Sequence, residues 1–350
     1  MTTKTELRRC TRCVMPITWA GLTLDEEGVC SACREFEKQK NGTIDWTKRA
    51  NELQKIFDTY RVITKVNHNK YDCVLPSSGG KDSTWALYVV KRIYGLTPLV
   101  VTWNHGLWMS ESARYNLYDI PANLDCDHID FRLGNGLRNA IAHKSTKTGG
   151  DFCSFCHLGV GSFPARIAQQ WHIPLVVYGE PTGLYSTTKE YNLDDMEEQD
   201  KKHFEIAFQG SFKPEVILPE GYDIRDMMPM TWPDGKFNLK AIYLGTYLEW
   251  NQHKQVDIIT RELGWKHIKS PITYTDYDKA DCEKGECLRE LQKFYRRGVS
   301  RVAFQASKDI REGRMSRDYA LNLVEMYESD IYNLDLKDVP CELGFGNKED

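Results

Sequence analysis

Serine, glycine, lysine and cysteine mark where this sequence could do chemistry. In Leu75-Pro76-Ser77-Ser78-Gly79-Gly80-Lys81-Asp82-Ser83-Thr84, adjacent glycines sit beside hydroxyls, an ammonium and a carboxylate. Adjacent glycines let the backbone approach an anion with no side chain in the way. A helix opening there turns free N–H groups and a positive dipole end toward the same anion. Ser78, Ser83 and Thr84 add hydroxyls, and Lys81 adds a point charge. The chemistry is phosphate binding. The spacing is not that of the Walker A loop, which needs a longer gap before its Gly-Lys pair.

Cysteine supplies the second chemistry. Cys10-Thr11-Arg12-Cys13 and Cys30-Ser31-Ala32-Cys33 are Cys-x-x-Cys knuckles joined by a short segment. Within it, Leu22 to Asp25 reads as a strand and Glu26 to Val29 as a turn. Each knuckle puts two sulfurs on one side of a tight turn, and together they fit a tetrahedral four-thiolate zinc site. A closed site of this kind leaves no open position for chemistry, so its expected role is to fold a small N-terminal module. A third pair, Cys153-Ser154-Phe155-Cys156, is followed directly by His157 and is expected in a loop. One pair cannot complete a tetrahedral site. It could recruit His157, Cys282 or Cys287. A second zinc, an iron–sulfur cluster on Cys153, Cys156 and Cys282, or packed thiols without a ligand all remain open.

The elements that must position these residues follow from apolar patterning. An apolar run from Tyr71 to Leu75 leads into the glycine turn, and a helix-like run from Trp85 to Tyr94 leads out. Thr97 to Trp103 reads as a buried strand, Ser110 to Leu124 as a helix, and His128 to Arg132 as a third strand. A helix from Gly136 to about Lys144, a helical stretch over Ala165 to Trp171 and a strand over Ile173 to Tyr178 follow. This alternation argues for a parallel, doubly wound α/β sheet. Ligands bind at the carboxyl ends of such strands. Thr102, Trp103, Asn104 and His105 therefore fall near the phosphate loop, with His105 read first as a hydrogen-bonded loop residue. Glu180 lies just past another strand end, where a carboxylate could hold magnesium or orient a substrate.

Trp46, Leu53, Ile56 and Phe57 recur at helical spacing in a charged bridge, with Asp45 as a candidate cap. Tyr191 to His203 is acidic-leaning and reads as a solvated face or insert. Ile242 to Trp250 is apolar and aromatic and reads as core. Arg311, Arg314 and Arg317 form a local basic cluster before a helix over Asp318 to Tyr327, for which Ser316 is a candidate N-cap. Arginine forks suit phosphates or carboxylates, and surface ion pairs explain them almost as well.

A chain of 350 residues allows one large domain or two smaller ones. The net charge of −4, with no basic pole, argues against broad electrostatic binding to nucleic acid. A polar N-terminus, no apolar run able to cross a bilayer, and eleven cysteines make a reducing, cytoplasmic setting the expectation.

The string Ser78-Gly79-Gly80-Lys81-Asp82-Ser83 resembles the PP-loop of the ATP pyrophosphatase superfamily, also called adenine nucleotide alpha hydrolase-like. The wider ordered set resembles its N-acetyl sugar amidotransferases of surface-polysaccharide (O-antigen or lipopolysaccharide) biosynthesis. That set runs from Cys10-Thr-Arg-Cys13-Val14-Met15-Pro16 and Gly28-Val29-Cys30 through the PP-loop, Cys153-x-x-Cys156-His157 and Gly179-Glu180. It continues through Tyr243-Leu244-Gly245-Thr246-Tyr247 with Trp250 to Asp309-Ile310-Arg311-x-Gly313-Arg314. The resemblance spans nearly the whole chain and is weakest over Tyr191 to Met228. It implies a zinc-ribbon module (1–40), a helical bridge (41–70), a PP-loop domain (71–270) and a C-terminal helical region (271–350).

It also implies a reaction. ATP activates the acetamido carbonyl of a sugar, expected to be nucleotide-linked, as an O-adenylyl imidate. Ammonia then displaces AMP and leaves an acetamidino group. Ammonia would come from a separate glutaminase with a cyclase-like partner. Ser78, Gly79, Gly80 and Ser83 would grip pyrophosphate, Lys81 would stabilise charge, Asp82 would aid magnesium, and Glu180 would act beside them. The superfamily resemblance places adenine near Thr102 and Trp103, while Arg311 and Arg314 would meet an anionic substrate. The alternative is a tRNA-modifying PP-loop thiolase, in which Cys153 and Cys156 would be catalytic or cluster ligands. The sugar, its carrier and the oligomeric state are not legible.

Overall fold

The computed structural model describes residues 7–19, 21–38, 40, 44–148, 151–179, 213–234, 237–279 and 281–331. Glu180 and the acidic stretch from Tyr191 to His203 lie outside the described residues. The centre is a five-stranded sheet in the order β3-β2-β1-β4-β5. The strands are β1 (Cys73–Pro76), β2 (Pro98–Asn104), β3 (His128–Arg132), β4 (Leu175–Tyr178) and β5 (Lys240–Tyr243). Every neighbouring pair is parallel, with Val74 opposite Leu99 and Val176, and Val177 opposite Ile242.

Alternation along these strands feeds two separate cores. Val74, Leu99, Val101, Trp103, Val176 and Tyr178 enter one core. Cys73, Leu75, Val100, Leu175, Val177 and Ile242 enter the other. A parallel sheet covered on both faces needs such near-continuous apolar runs. Helices Asn135–Lys147 and Ser154–Gln170 supply residues to the first core, and helices Trp46–Val66, Lys81–Tyr88 and Gln252–Leu263 to the second.

The observed elements depart from expectation at the third Cys-x-x-Cys. Cys153 stands at the N-cap of the Ser154–Gln170 helix, so the third Cys-x-x-Cys forms its first turn and not a loop. Its apolar residues over Ser154–Gln170 bury against the sheet, and that packing carries the helix past Pro164. Ile242 to Trp250 lies in the core as expected, and there the chain makes β5 and then a short helix, Leu244–Tyr247. The caps follow expectation: Asp45 accepts from the Lys48 amide and Ser316 from the Tyr319 amide.

The N-terminal module packs on the far end of the chain. Cys10, Cys13, Met15, Cys30 and Cys33 share a core with Val299 and Phe304. Val14 packs with Val302, Ala303, Ala306, Ala320 and Val324. These come from helices Arg301–Arg311 and Arg317–Asp330. Arg317 donates from Nε to the Cys13 carbonyl and from Nη2 to the Cys10 carbonyl, each at 3.2 Å. Arg9 pairs with Glu328 at 2.9 Å. Hydrogen bonds from a charged donor are worth about 1.5–3 kcal/mol each. Arg317→Ala is therefore expected to lower the urea midpoint by an equivalent of roughly 2 kcal/mol, with Arg317→Lys recovering part of it.

Candidate functional site

The glycine turn sits where the sheet changes direction. The chain runs outward from β1 through β2 to β3, then returns to place β4 on the other side of β1. The carboxyl ends of β1 and β4 therefore flank a crevice of the kind in which doubly wound sheets bind ligands. Gly79 has φ +76°, and a Cβ there would meet the Leu117 backbone at 2.9 Å. Both facts exclude a side chain. Across the crevice, a Cβ on Gly179 would stand 3.2 Å from the Asp82 carbonyl oxygen.

The turn is held from several sides. The Ser78 amide donates to Ser83 Oγ at 3.2 Å, and the Gly79 and Gly80 amides donate to Ser77 and Ser78 Oγ at 3.3 Å. These bonds are long for N–H···O. Trp265 Nε1 donates to the Gly79 carbonyl at 3.0 Å. Thr102 Oγ1 donates to the Ser77 carbonyl at 2.7 Å, so it accepts from His128 Nε2. Thr102 thus uses its hydroxyl to hold the loop. The Trp103 ring lies in the core against Phe131 and Phe163.

Lys81 is only 7% exposed. Its Nζ lies 2.5 Å from Asp82 and 3.7 Å from Asp278. Trp250 Nε1 donates to the other Asp82 oxygen at 3.2 Å. Asp278, itself buried, is gripped by both Nε and Nη2 of Arg301, the latter at 2.7 Å. Burial pushes the Asp278 carboxyl up, but Arg301 and then Lys81 outweigh it and hold the group well below the usual carboxylate range. The Arg301 amide in turn donates to Glu290, which pairs with Lys293 at 2.6 Å. Asp281 rests beside Gly80, and its carbonyl accepts from His105 Nε2 at 3.1 Å. The Leu107 amide donates to His105 Nδ1, which fixes that tautomer. His105 is a hydrogen-bonded loop histidine, and burial pushes its pKa down.

A second hub adjoins the first through Tyr277, next in sequence to Asp278. Its hydroxyl lies 3.1 Å from His253 Nε2 and 3.4 Å from Gln305 Nε2. Asp309 receives His253 at 3.4 Å, the Tyr274 hydroxyl and Arg314 at 2.6 Å. Arg314 also pairs with Glu312. The other cysteines of the N-terminal module dominate the Cys13 thiol, which is lowered overall, and the charge of Arg311 adds to that lowering. The two arginines therefore serve different places.

Cys10, Cys13, Cys30 and Cys33 bring all four sulfurs within 4.8 Å of one another. Cys13 and Cys30 Sγ are 3.7 Å apart. Sulfurs at the corners of a tetrahedron with about 2.3 Å zinc–sulfur bonds would be separated by roughly 3.8 Å. The amides of Arg12, Cys13 and Cys30 donate to Cys10 Sγ at 3.2–3.4 Å, which favours the thiolate a metal needs. The residues fit a structural zinc. Cys30 opens into helix Ser31–Lys38, and the expected strand is reduced to a single bridge between Leu24 and Cys30.

Cys153, Cys156 and Cys282 also come together, around the first turn of the Ser154–Gln170 helix and against one core. Among the described residues only the N-terminal four meet the spacing of a compact metal site. Burial pushes Cys153 and Cys282 well up and Cys156 to about 12. Such thiols are poor nucleophiles. His157 is pushed down to about 4 by burial and then by Arg289. Arg289 bridges Asp151 at 2.6 Å and Glu286 at 3.4 Å beside them.

Sequence reasoning named Trp250 only within an aromatic stretch, and it missed His253, Asp278, Asp281, Arg301 and the acceptor role of Asp309. The alternation Tyr274-Thr275-Asp276-Tyr277-Asp278, aromatic rings interleaved with acids, was the available signal. Because the depressed Asp278 carboxyl is ionised in the fold, its stabilisation is present above the unfolded value of about 4 and is lost as pH falls through the folded value. Asp278→Asn leaves Arg301 buried without its partner and is expected to cost roughly 3–5 kcal/mol in urea unfolding at neutral pH. Residues 271–349 match the family model described as LPS biosynthesis protein WbpG-like, C-terminal domain. No curated protein matches the chain. The matched segment is thus similar to a lipopolysaccharide-biosynthesis domain, and it carries Asp278, Asp281, Arg301 and Asp309.

Proposed function

We propose that this protein is an ATP-dependent, AMP-forming amidotransferase acting on an N-acetyl sugar in surface-polysaccharide biosynthesis. The observation that carries the reading is the joint construction of one site. A glycine turn at the sheet's switch point meets a buried lysine, and the lysine's counter-charge comes from the segment that matches a WbpG-like domain. That meeting at Lys81 is what supports joining phosphate binding with polysaccharide biosynthesis in one reading.

The chemistry follows from the acceptor. An amide oxygen is a poor leaving group. Attack by the acetamido oxygen on the α-phosphorus of ATP forms an O–P bond and expels pyrophosphate. Ammonia then adds to the imidate carbon, AMP leaves with the original oxygen, and loss of protons gives the acetamidine. The backbone around Ser78, Gly79, Gly80 and Ser83 would hold the departing pyrophosphate. Lys81 would leave Asp278 and meet phosphate charge, and Asp278 would keep Arg301. Bound magnesium would offset phosphate charge, with Asp82 as its nearest carboxylate in the loop. Thr102 keeps Ser77 in place, and the backbone beside Trp103 borders the adenine region. Glu180 and Arg314 stand in this reading as substrate-side groups, and Arg311 as a support of the zinc module. The ammonia is supplied by a separate glutaminase with a cyclase-like partner. No helix among the described residues is long and apolar enough to cross a membrane.

The test is a mass-spectrometric screen. The protein would be incubated with ATP, magnesium, ammonium salt and a panel of nucleotide-linked and free N-acetyl sugars. The expected result is AMP together with a product in which NH replaces oxygen. Lys81→Ala should lower both by roughly 10²–10³-fold, the cost of removing one preorganised charge-stabilising group. Cys153→Ser should retain activity. If no sugar reacts and tRNA alone stimulates AMP release, the proposal fails.

A further inference from the structure

The segment bearing Asp278 and Asp281 lies against the glycine turn. The Cβ that Gly80 lacks would stand 3.6 Å from Asp281 Cγ and 3.8 Å from its Cβ. The Asp281 carboxyl group therefore rests against Gly80, the residue that caps the Lys81–Tyr88 helix. A helix start of this kind attracts an anion. The stretch after β2 pins the segment there. His105 holds the Asp281 carbonyl, and the Ser110 amide donates to Glu283 at 3.0 Å. Three residues before Asp281, Asp278 faces Lys81 at 3.7 Å.

One carboxylate against the N-terminus of the helix and another on the lysine reproduce the charge pattern of a phosphate chain. A nucleotide phosphate at Gly80 and the Asp281 carboxylate cannot share this place, because like charges repel strongly in a half-buried crevice. Asp278 differs, since Arg301 holds it by two bonds and it can yield Lys81 without moving.

We propose that Asp281 is an internal stand-in for a nucleotide phosphate, resting against the turn until a nucleotide displaces it. The inference rests on the nucleotide reading above. It makes occupancy of the turn the event that frees the WbpG-like segment from the sheet edge. Nucleotide binding and the arrangement of that segment are then one equilibrium, biased by whichever anion occupies the turn.

The test compares wild-type protein, Asp281→Asn and Lys81→Ala, each purified in the same way without chelator, using α,β-methylene-ATP without added magnesium. Asp281→Asn is expected to bind the analogue about threefold to tenfold more tightly than wild type, while Lys81→Ala binds it more weakly. Hydrogen exchange in peptides spanning 271–283 should rise in Asp281→Asn without any ligand, and in wild type on adding the analogue. Equal or weaker binding by Asp281→Asn overturns the proposal and points to a positive role for Asp281, such as holding magnesium. If no protein binds the analogue, the nucleotide reading fails, and exchange alone decides: faster exchange in Asp281→Asn still supports the closing contact, and unchanged exchange overturns it.

Discussion

A lysine buried at the mouth of a parallel sheet must find negative charge, and much of this structure is arranged around that need. Lys81 opens the helix that follows the glycine turn, and its side chain is buried there. Asp82 meets it from the same turn and Asp278 from a segment almost two hundred residues later in the chain. Asp278 brings its own requirement, since a buried carboxylate shared by one ammonium needs a further donor, and Arg301 answers with a fork. Glu290 and Lys293 extend the chain of obligations outward. Each charge is tolerable only because the next is present, which couples the C-terminal helices to the loop more tightly than apolar contact alone.

The sheet was legible because its physics is local. Runs such as Leu99-Val100-Val101 and Leu175-Val176-Val177 announce strands covered on both faces, and adjacent glycines between a strand and a helix announce the turn. The four N-terminal cysteines were legible for the same reason, since knuckle spacing is a short-range constraint. β5 was not legible. Lys240–Tyr243 is short, and its burial comes from pairing with β4, which no local pattern encodes. The helical start at Cys153 was hidden by the glycines before it and by Pro164 within it.

The candidate site divides along the same line. Loop residues 78–83 could be named from their own spacing. Asp278, Arg301, His253 and Asp309 could not, because each is an ordinary charged residue until the fold brings it beside another. Thr102 shows the converse. Its position at a strand end was readable, but its hydroxyl is committed to the Ser77 carbonyl and to His128, a fact that belongs to the packed state. Arg314 and Arg311 looked alike in the chain and are divided by where their neighbours lie.

The cysteine module near the start of the chain packs on helices from its other end. Val14 donates its amide to Ser307 across 293 residues, and Arg317 reaches back 304 residues to the Cys13 carbonyl. During synthesis the cysteines leave the ribosome long before the helices that cover them. Contacts so distant in sequence are slow to form and leave apolar surface exposed while they wait. A metal ion captured early would hold the knuckles in shape through that interval, and the later helices would cover them.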